Sequence, residues 1–232
     1  MDVDNLYSTS LPVITDKQYK LYRVKVNQVK MMKDRGYIVD ENVDMSYDTF
    51  INNYKDNYNK LNHQYMTKDF KLVRVRYFFI MPTTKKSNKI GKSELNNLKK
   101  EIAEDLKNCR HYIIIFEGGV SSSALNSIEE LTKLNAVKIE IFYFNELIYN
   151  PNEYYLTPKH VLLSEEEKNN ILNRNKLLPN DIPWISYRDP IARYYGADIG
   201  QMFKIYREIL IPETVIDEYI TYRIVAVIDV KR

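Results

Sequence analysis

A glycine pair followed by three serines is the sequence feature best suited to hold a ligand. Gly118 and Gly119 follow an apolar run, and Ser121, Ser122 and Ser123 precede an amphipathic stretch. Glycines let a backbone approach a ligand closely, and free N–H groups at a helix start attract phosphate oxygens. The lysine of a phosphate-binding P-loop and the G-x-G-x-x-G of a dinucleotide fold are both missing, which argues against nucleotide binding. Two interpretations stay open: a tight turn with an ordinary serine N-cap, and contact with a nucleic-acid backbone.

Side chains that could catalyse a reaction are sparse. The three histidines, His63, His111 and His160, are far apart in the sequence, and neither H-E-x-x-H nor G-x-S-x-G occurs. The single cysteine, Cys109, precedes an apolar run that predicts a buried strand, which disfavours a nucleophilic role and excludes an intrachain disulfide. We therefore predict no catalytic residue, no metal site and no cofactor.

A metal-dependent nuclease is the alternative enzymatic interpretation. Asp69, Phe70 and Lys71 stand at the head of a predicted strand, where a carboxylate and a lysine can hold a metal ion and activate water. The acidic partners of such a site are not obvious in the sequence, and a solvated strand end explains the same residues. This alternative would require a restriction-endonuclease-like N-terminal domain.

Composition bounds the class of protein. The chain has 232 residues, of which 44% are hydrophobic and 28% charged, as expected for a folded protein with one large domain or two small ones. One cysteine favours a reducing compartment, and no stretch reaches the ~18 uninterrupted apolar residues of a membrane span. The first residues lack the basic and apolar regions of a signal peptide. We expect an intracellular, soluble protein.

Basic charge is concentrated in the first part of the chain. Residues 1–150 hold 23 Lys and Arg against 19 Asp and Glu, whereas residues 151–232 hold 11 against 12. The excess is densest between Lys68 and Arg110, with 12 basic and five acidic residues. A solvated surface explains most such runs, and contact with phosphates is the other interpretation. The 20 tyrosines reflect an A/T-rich genome or, alternatively, a surface on which bases stack.

Strands and helices alternate in the first 150 residues. In chain order, the predicted elements are a helix over 15–35, a helix over about 47–60, a strand over 71–81, a basic loop over 83–92, a helix capped by Ser93, a strand over 112–116, the Gly-Ser turn with a helix through Leu131, and a strand over 137–144. This alternation predicts an α/β domain with a mixed sheet and covering helices.

A second, smaller α+β unit follows a boundary near 150–157, where prolines and asparagines interrupt the pattern. Its predicted elements are a helix opened by the capping box of Ser164 and Glu167, a short helix capped by Asp189 and closed by Gly196, and strands over 200–209 and 218–228.

Four ordered motifs in this second unit form the most specific pattern in the chain. They are a P-x-H-V element at 158–161, D-P-I-A-R-Y-Y-G at 189–196, G-x-x-x-K-I-x-R at 200–207 and Y-I-T-Y-R at 219–223. In these motifs the chain resembles the family that comprises the fifth-largest subunit shared by eukaryotic RNA polymerases I, II and III and its counterpart in the archaeal RNA polymerase. The match extends over about 75 residues.

The N-terminal part resembles the eukaryotic members more loosely. Its markers are the D-R-G-Y sequence at 34–37, the strand from Lys71, the basic loop to Lys92, and the Gly-Ser turn. Archaeal members lack this part, so the resemblance implies a eukaryotic-type protein from a cell or from a large DNA virus. Family members often carry Thr-Pro-Ser where this chain has three serines. Residues 210–218 are longer than the usual connection in the family, and residues 226–232 extend past the family's typical end.

The resemblance implies a non-catalytic subunit of a multisubunit DNA-directed RNA polymerase. Residues 152–232 would form an assembly domain that docks on the largest subunit and neighbouring small subunits. Residues 1–151 would form a jaw domain whose Gly-Ser turn, Gly118, Gly119 and Ser121 to Ser123, approaches downstream duplex DNA. This contact would be independent of base sequence, because hydroxyl and N–H contacts to phosphates carry no base information.

The motifs also imply a subunit interface. Its residues are Pro158, His160, Val161, Arg193, Tyr194, Tyr195, Tyr219, Tyr222 and Arg223. We expect no membrane contact, a nuclear location for a cellular protein, and the virion or host cytoplasm for a viral one. A free-standing transcription regulator on the same fold is a third interpretation.

Overall fold

A computed structural model describes residues 16–55, 57–80, 89–209 and 217–228 of the chain. The helices are α1 (Lys17–Asp34), α2 (Tyr47–Tyr54), α3 (Asn96–Asp105), α4 (Ser122–Asn135), α5 (Phe144–Leu147), α6 (Glu165–Asn175) and α7 (Pro190–Tyr194). The strands are β1 (Tyr37–Ile38), β2 (His63–Thr67), β3 (Leu72–Phe78), β4 (Lys89–Ile90), β5 (His111–Phe116), β6 (Gly119–Val120), β7 (Lys138–Tyr143), β8 (Lys159–Leu162), β9 (Trp184–Ser186), β10 (Met202–Ile209) and β11 (Asp217–Ala226).

A five-stranded mixed sheet organises the N-terminal region, with strand order β1-β2-β3-β5-β7. β2 runs antiparallel to both β1 and β3, whereas β3, β5 and β7 are parallel to one another. Helices α3 and α4 supply the crossovers that parallel strands require. The predicted mixed sheet with covering helices is confirmed.

Both faces of this sheet are buried, which explains the apolar run of β5. Ile113 and Ile115 face a core with α1, α2 and α5, whereas Tyr112, Ile114 and Phe116 face a core with α3 and α4. All five side chains are fully buried. A strand covered on both sides does not show the alternation of a half-buried one.

The C-terminal region forms a four-stranded sheet of order β8-β10-β11-β9. β8, β10 and β11 are antiparallel, and β9 joins β11 in parallel. One face packs on α7 through Phe203 and Ile205, and the other packs on α6 through Met202 and Ile224. This is the small α+β unit that the sequence predicted.

Most predicted helix ends are confirmed. The hydroxyl of Ser121 accepts a hydrogen bond from the N–H of Ala124 at 3.3 Å and so caps α4. Ser164 and Glu167 form the predicted capping box. Gly196 has φ +63°, the left-handed conformation that ends a helix with little strain only for glycine.

Two predictions about helices are wrong. Ser93 does not cap α3: residues 93–95 form a 3-10 turn, and the Ser93 hydroxyl donates to the carboxylate of Glu94 at 2.7 Å. The second helix ends at Tyr54 rather than near residue 60, and a separate 3-10 turn follows at 58–61.

The polar face of α1 is also more buried than expected. Lys25 is fully buried, and its ammonium lies 2.7 Å from the carboxylate of Glu41. Asn27, also buried, donates to the carbonyls of Leu147 and Ile148 at 2.8 Å each. Polar residues on α1 therefore bind groups inside the fold.

Some predicted features lie outside the described residues. They are most of the basic loop, of which only the end at 89–92 is described, residues 210–216 and the end of the chain from 229. None of the described helices is both long and apolar enough to cross a lipid bilayer.

Candidate functional site: the Gly-Ser turn and the C-terminal sheet

The Gly-Ser turn (residues 118–123) connects β5 to α4 and is held by a short strand pair. β6 lies parallel to β4, with Gly119 beside Lys89 and Val120 beside Ile90. The N–H of Ser121 continues this pairing and donates to the carbonyl of Ile90 at 3.0 Å. The end of the basic loop is thereby fastened to the turn.

The first turn of α4 exposes two hydroxyl groups. Ser122 and Ser123 are exposed, whereas Ser121 is half-buried and occupied as the helix cap. The first turn of α4 contains no acidic residue, so no carboxylate there neutralises the partial positive charge of the helix N-terminus. The N-cap interpretation is thus correct for Ser121, and it leaves two serine side chains facing solvent.

Lys89 gives the turn additional positive charge. A Cβ atom at Gly119 would lie 3.4 Å from the Cγ of Lys89, so the lysine stem lies over the glycine. Lys89 and Lys92 are both exposed. The Ser123 hydroxyl also pairs with the Ser121 hydroxyl at 3.1 Å. A helix start with exposed serine side chains, beside a segment that carries two exposed lysines, can bind phosphate oxygens without reading a base.

Gly118 allows close packing beneath the turn. A Cβ atom there would lie only 2.5 Å from the Cδ1 of Ile80. The neighbouring Glu117 accepts a hydrogen bond from the N–H of Ile80 at 2.8 Å and forms an ion pair with Lys17 at 2.6 Å. These contacts anchor the turn to the end of β3 and to the start of α1.

The residues of the nuclease alternative lie in a solvated hairpin. Asp69, Phe70 and Lys71 are exposed between β2 and β3, and Phe70 has φ +59°. Within the described ranges, no group of three or more His, Cys, Asp and Glu side chains could hold a metal ion. The solvated strand end therefore describes these residues best.

The thiol of Cys109 and the imidazole rings of the three histidines do not form a common site. Cys109 is 1% exposed, its thiol donates to the carbonyl of His111 at 3.2 Å, and burial raises its pKa. The Nε2 of His111 lies 2.6 Å from a carboxylate oxygen of Glu140. His160 is buried, its Nδ1 lies 2.6 Å from the carbonyl of Pro158, and burial lowers its pKa.

Three residues of the predicted subunit interface contact the N-terminal region of the same chain. Tyr194 is 2% exposed, and its hydroxyl donates to Asp34 at 2.7 Å. Tyr195 packs against the hydrophobic core of the N-terminal region, and its hydroxyl accepts a hydrogen bond from the side chain of Asn152 at 2.8 Å. Arg193 donates to the carboxylate of Glu146 and to the carbonyl of Ile141. These contacts join α7 to β7, α5 and the end of α1.

Arg35 is the centre of this junction. Its side chain is 4% exposed and forms a bidentate pair with Glu140 at 2.9 and 2.8 Å. The same guanidinium group donates to the carbonyls of Arg193 and Tyr194 at 2.7 Å each. Burial raises the pKa of Glu140, but Arg35 and His111 outweigh it and hold that pKa well below its usual range. The D-R-G-Y and D-P-I-A-R-Y-Y-G sequences thus meet in space, which sequence reasoning did not detect.

The remaining interface residues divide between the two faces of the C-terminal sheet. Val161 and Tyr222 both lie opposite Lys204 and therefore share its face. Tyr219 lies opposite Arg207 on the other face, together with Arg223 and His160. Tyr219 is 44% exposed, and Trp184, on the face of Tyr222, is 52% exposed.

Comparison with known proteins identifies the family. Models of "RNA polymerase Rpb5, N-terminal domain" and "RNA polymerase Rpb5, C-terminal domain" match residues 15–102 and 149–225. The Caenorhabditis briggsae protein named DNA-directed RNA polymerases I, II, and III subunit RPABC1 is 32% identical over 215 residues, covering 89% of this chain and 96% of the relative. The chain belongs to the Rpb5 family.

Other relatives agree with this assignment. The Caenorhabditis elegans protein of the same name is 31% identical over 216 residues, again covering 89% of this chain and 96% of the relative. The Arabidopsis thaliana protein named DNA-directed RNA polymerases IV and V subunit 5B is 27% identical over 216 residues, 90% of each chain.

Membership in the Rpb5 family confirms the resemblance found in the sequence. The protein is a non-catalytic, structural subunit of a DNA-directed RNA polymerase and associates with other subunits of that enzyme. The nuclease alternative finds no support in this family.

Proposed function

We propose that this Rpb5-family chain docks on the largest polymerase subunit and neighbouring small subunits through residues 152–232, and that residues 1–151 form a jaw beside downstream duplex DNA. The observation that carries the DNA contact is the start of α4. There, Ser122 and Ser123 are exposed, Lys89 and Lys92 lie nearby, and the first turn has no carboxylate.

The DNA contact would be independent of base sequence. Serine hydroxyls, backbone N–H groups and lysine ammonium groups bind phosphates, which are the same at every base pair. A polymerase subunit must tolerate any template, so backbone contacts fit its task. Because the lysine contacts release counterions, the contact should weaken as salt concentration rises.

The docking surface would be formed by the C-terminal sheet. Trp184 and Ile220 are 52% and 44% exposed on one face of the sheet, and Tyr219 is 44% exposed on the other. Aromatic side chains of this kind are enriched in the buried centres of protein interfaces. The protein would reside in the nucleus if cellular, and in the virion or host cytoplasm if viral.

The DNA contact can be tested in the assembled polymerase with the full-length chain. We expect the double substitution Ser122→Glu and Ser123→Glu to reduce crosslinking to downstream DNA several-fold, because two carboxylates would repel phosphates, while assembly is retained. Asn52→Glu with Asn53→Glu is the matched control, since both residues are adjacent and exposed on α2. Equal crosslinking by both variants would contradict the placement of the turn at DNA.

Docking can be tested by co-purification with the largest subunit. We expect Trp184→Glu with Tyr219→Glu to weaken co-purification, because the two charges replace an exposed aromatic side chain on each face of the sheet. Leu134→Glu is the control, since Leu134 is 82% exposed in the N-terminal region. If the control lost the largest subunit and the double variant kept it, docking would belong to the other part of the chain.

A further inference from the structure

The C-terminal sheet has two edge strands, β8 and β9, and the chain itself pairs the outward carbonyl groups of β9. The carbonyl of Trp184 accepts a hydrogen bond from the side chain of Arg223 at 2.9 Å. The carbonyl of Ser186 accepts one from the N–H of Asp189, also at 2.9 Å. The outward acceptors of β9 are therefore satisfied within the molecule.

The edge of β8 is open. The N–H of Leu163 donates to the carbonyl of Met202 at 2.9 Å, which makes these two residues a hydrogen-bonded pair. In an antiparallel ladder such pairs alternate with non-bonded ones, so Val161 bonds to Lys204. The N–H and C=O groups of His160 and Leu162 therefore point away from the sheet. Among the described residues, they have no hydrogen-bond partner on that side.

A groove runs along this open edge. It has a volume of 600 Å³ and is lined on one side by residues 159–162 and on the other by Asp34, Arg35, Asn152 and Tyr195. His160 and Val161 belong to opposite faces of β8 yet both line the groove, which places the groove at the strand edge. The groove gives an added strand access to the free backbone groups.

We propose that an extended segment of another polymerase subunit adds to β8 as a fifth strand of the C-terminal sheet. This inference rests on the proposed docking of residues 152–232. In such strand addition, main-chain hydrogen bonds supply affinity and place the incoming backbone about 4.8 Å from the edge strand. The incoming segment must have N–H groups, and therefore no proline, where it meets His160 and Leu162.

Edge geometry favours an extended backbone over other partners. A helix satisfies its own N–H and C=O groups and would leave those of His160 and Leu162 unpaired, which is costly when they are buried in an interface. A second copy of this chain could use the same edge. The oligomeric state of the free chain distinguishes that occupant from a segment of another subunit. We expect a monomer; a dimer whose His160 and Leu162 amides are protected would overturn the proposal.

Amide hydrogen exchange at single-residue resolution tests the strand addition directly. In the free chain, the amide of Val161 should exchange slowly, whereas those of His160 and Leu162 should exchange fast. In the assembled polymerase, the latter two should slow by about tenfold or more while Val161 changes little. If the chain assembles and these two amides stay fast, strand addition is wrong although docking stands. If the chain does not assemble, the docking function itself fails.

A pair of variants at one position supplies an independent test. Proline is tolerated on an edge strand where its missing N–H would face solvent, so Leu162→Pro removes the outward donor and keeps the ladder to β10. Leu162→Ala trims the same side chain but retains the N–H. We expect Leu162→Pro to bind the polymerase roughly five- to tenfold more weakly than Leu162→Ala, with similar thermal unfolding of the two free chains. Equal binding of the two variants would contradict the proposal.

Discussion

The guanidinium group of Arg35 occupies the space that a side chain at Gly196 would need. A Cβ atom at Gly196 would lie 2.8 Å from the Nη1 of Arg35 and 2.9 Å from its Cζ. The glycine is therefore required twice, for its φ of +63° and for the approach of Arg35. This contact joins a residue after α1 to a residue after α7.

Gly196→Ala should destabilise the protein more than Gly200→Ala. Both glycines have positive φ, but a Cβ atom at Gly200 would meet no atom within 4 Å. The alanine at 200 should cost about 1 kcal/mol of unfolding free energy for its backbone conformation. The alanine at 196 should cost about 1–3 kcal/mol more, because Arg35 must move. Urea unfolding measures both, and equal losses would contradict the steric role of Arg35.

Arg35→Lys should behave almost like Arg35→Ala. A lysine ammonium cannot form the bidentate pair with Glu140 and reach two carbonyl oxygens at once. Loss of this buried pair should cost about 3 kcal/mol of unfolding free energy, since Glu140 would remain buried and unpaired. Adding Glu140→Gln to Arg35→Ala should recover part of that loss. Stability of Arg35→Lys close to the parent would show that a single positive charge suffices.

Acid should weaken the protein through Glu140. The pKa of Glu140 in the folded chain lies below its ordinary value of 4.5. At pH values above 4.5, the ionised carboxylate therefore stabilises the folded protein. This contribution should disappear as the pH falls below about 4.5 toward the folded-state pKa. Glu140→Gln removes the titrating group, so its unfolding free energy should fall less steeply in this range. Parallel pH profiles for the two proteins would contradict the assignment.

Lys25 should depend on its partner Glu41. Burial lowers the pKa of the lysine, and the nearby carboxylate opposes that shift. Lys25→Met should cost about 3 kcal/mol of unfolding free energy, because Glu41 would lose its counter-ion, and the double variant with Glu41→Gln should recover most of it. A double-mutant cycle measured by urea unfolding gives the coupling. Additive losses would show that the two residues act independently.

The long elements of the fold were predictable because their apolar pattern and the capping or turn residues at their ends indicate the same element. The apolar run of β5 and the serine cap of α4 gave a correct strand–turn–helix unit. Strands β4, β6 and β9 are only two or three residues long, too short to show a period. In β2, Tyr65 is the one buried side chain, so the strand is held by backbone pairing to β3 rather than by an apolar pattern.

The site was predictable only in part. The Gly-Ser turn was recognisable because glycines and serines at a strand–helix junction have a local physical meaning. The junction around Arg35 was not, because its partners Glu140 and Tyr194 lie 105 and 159 residues away in the sequence. Likewise, the open edge of β8 depends on which strand becomes its neighbour, and this is decided by β10, some 40 residues later.

The contact of Arg193 with the carbonyl of Ile141 has a consequence for synthesis of the chain. These residues are 52 positions apart, so a ribosome adding ~5–20 residues per second makes Arg193 roughly 3 to 10 seconds after Ile141. Until Arg193 is made, the carbonyl of Ile141 on the edge strand β7 lacks this hydrogen bond. Unpaired strand edges can join another chain, so during this interval β7 can pair with the same edge of a neighbour on the same messenger.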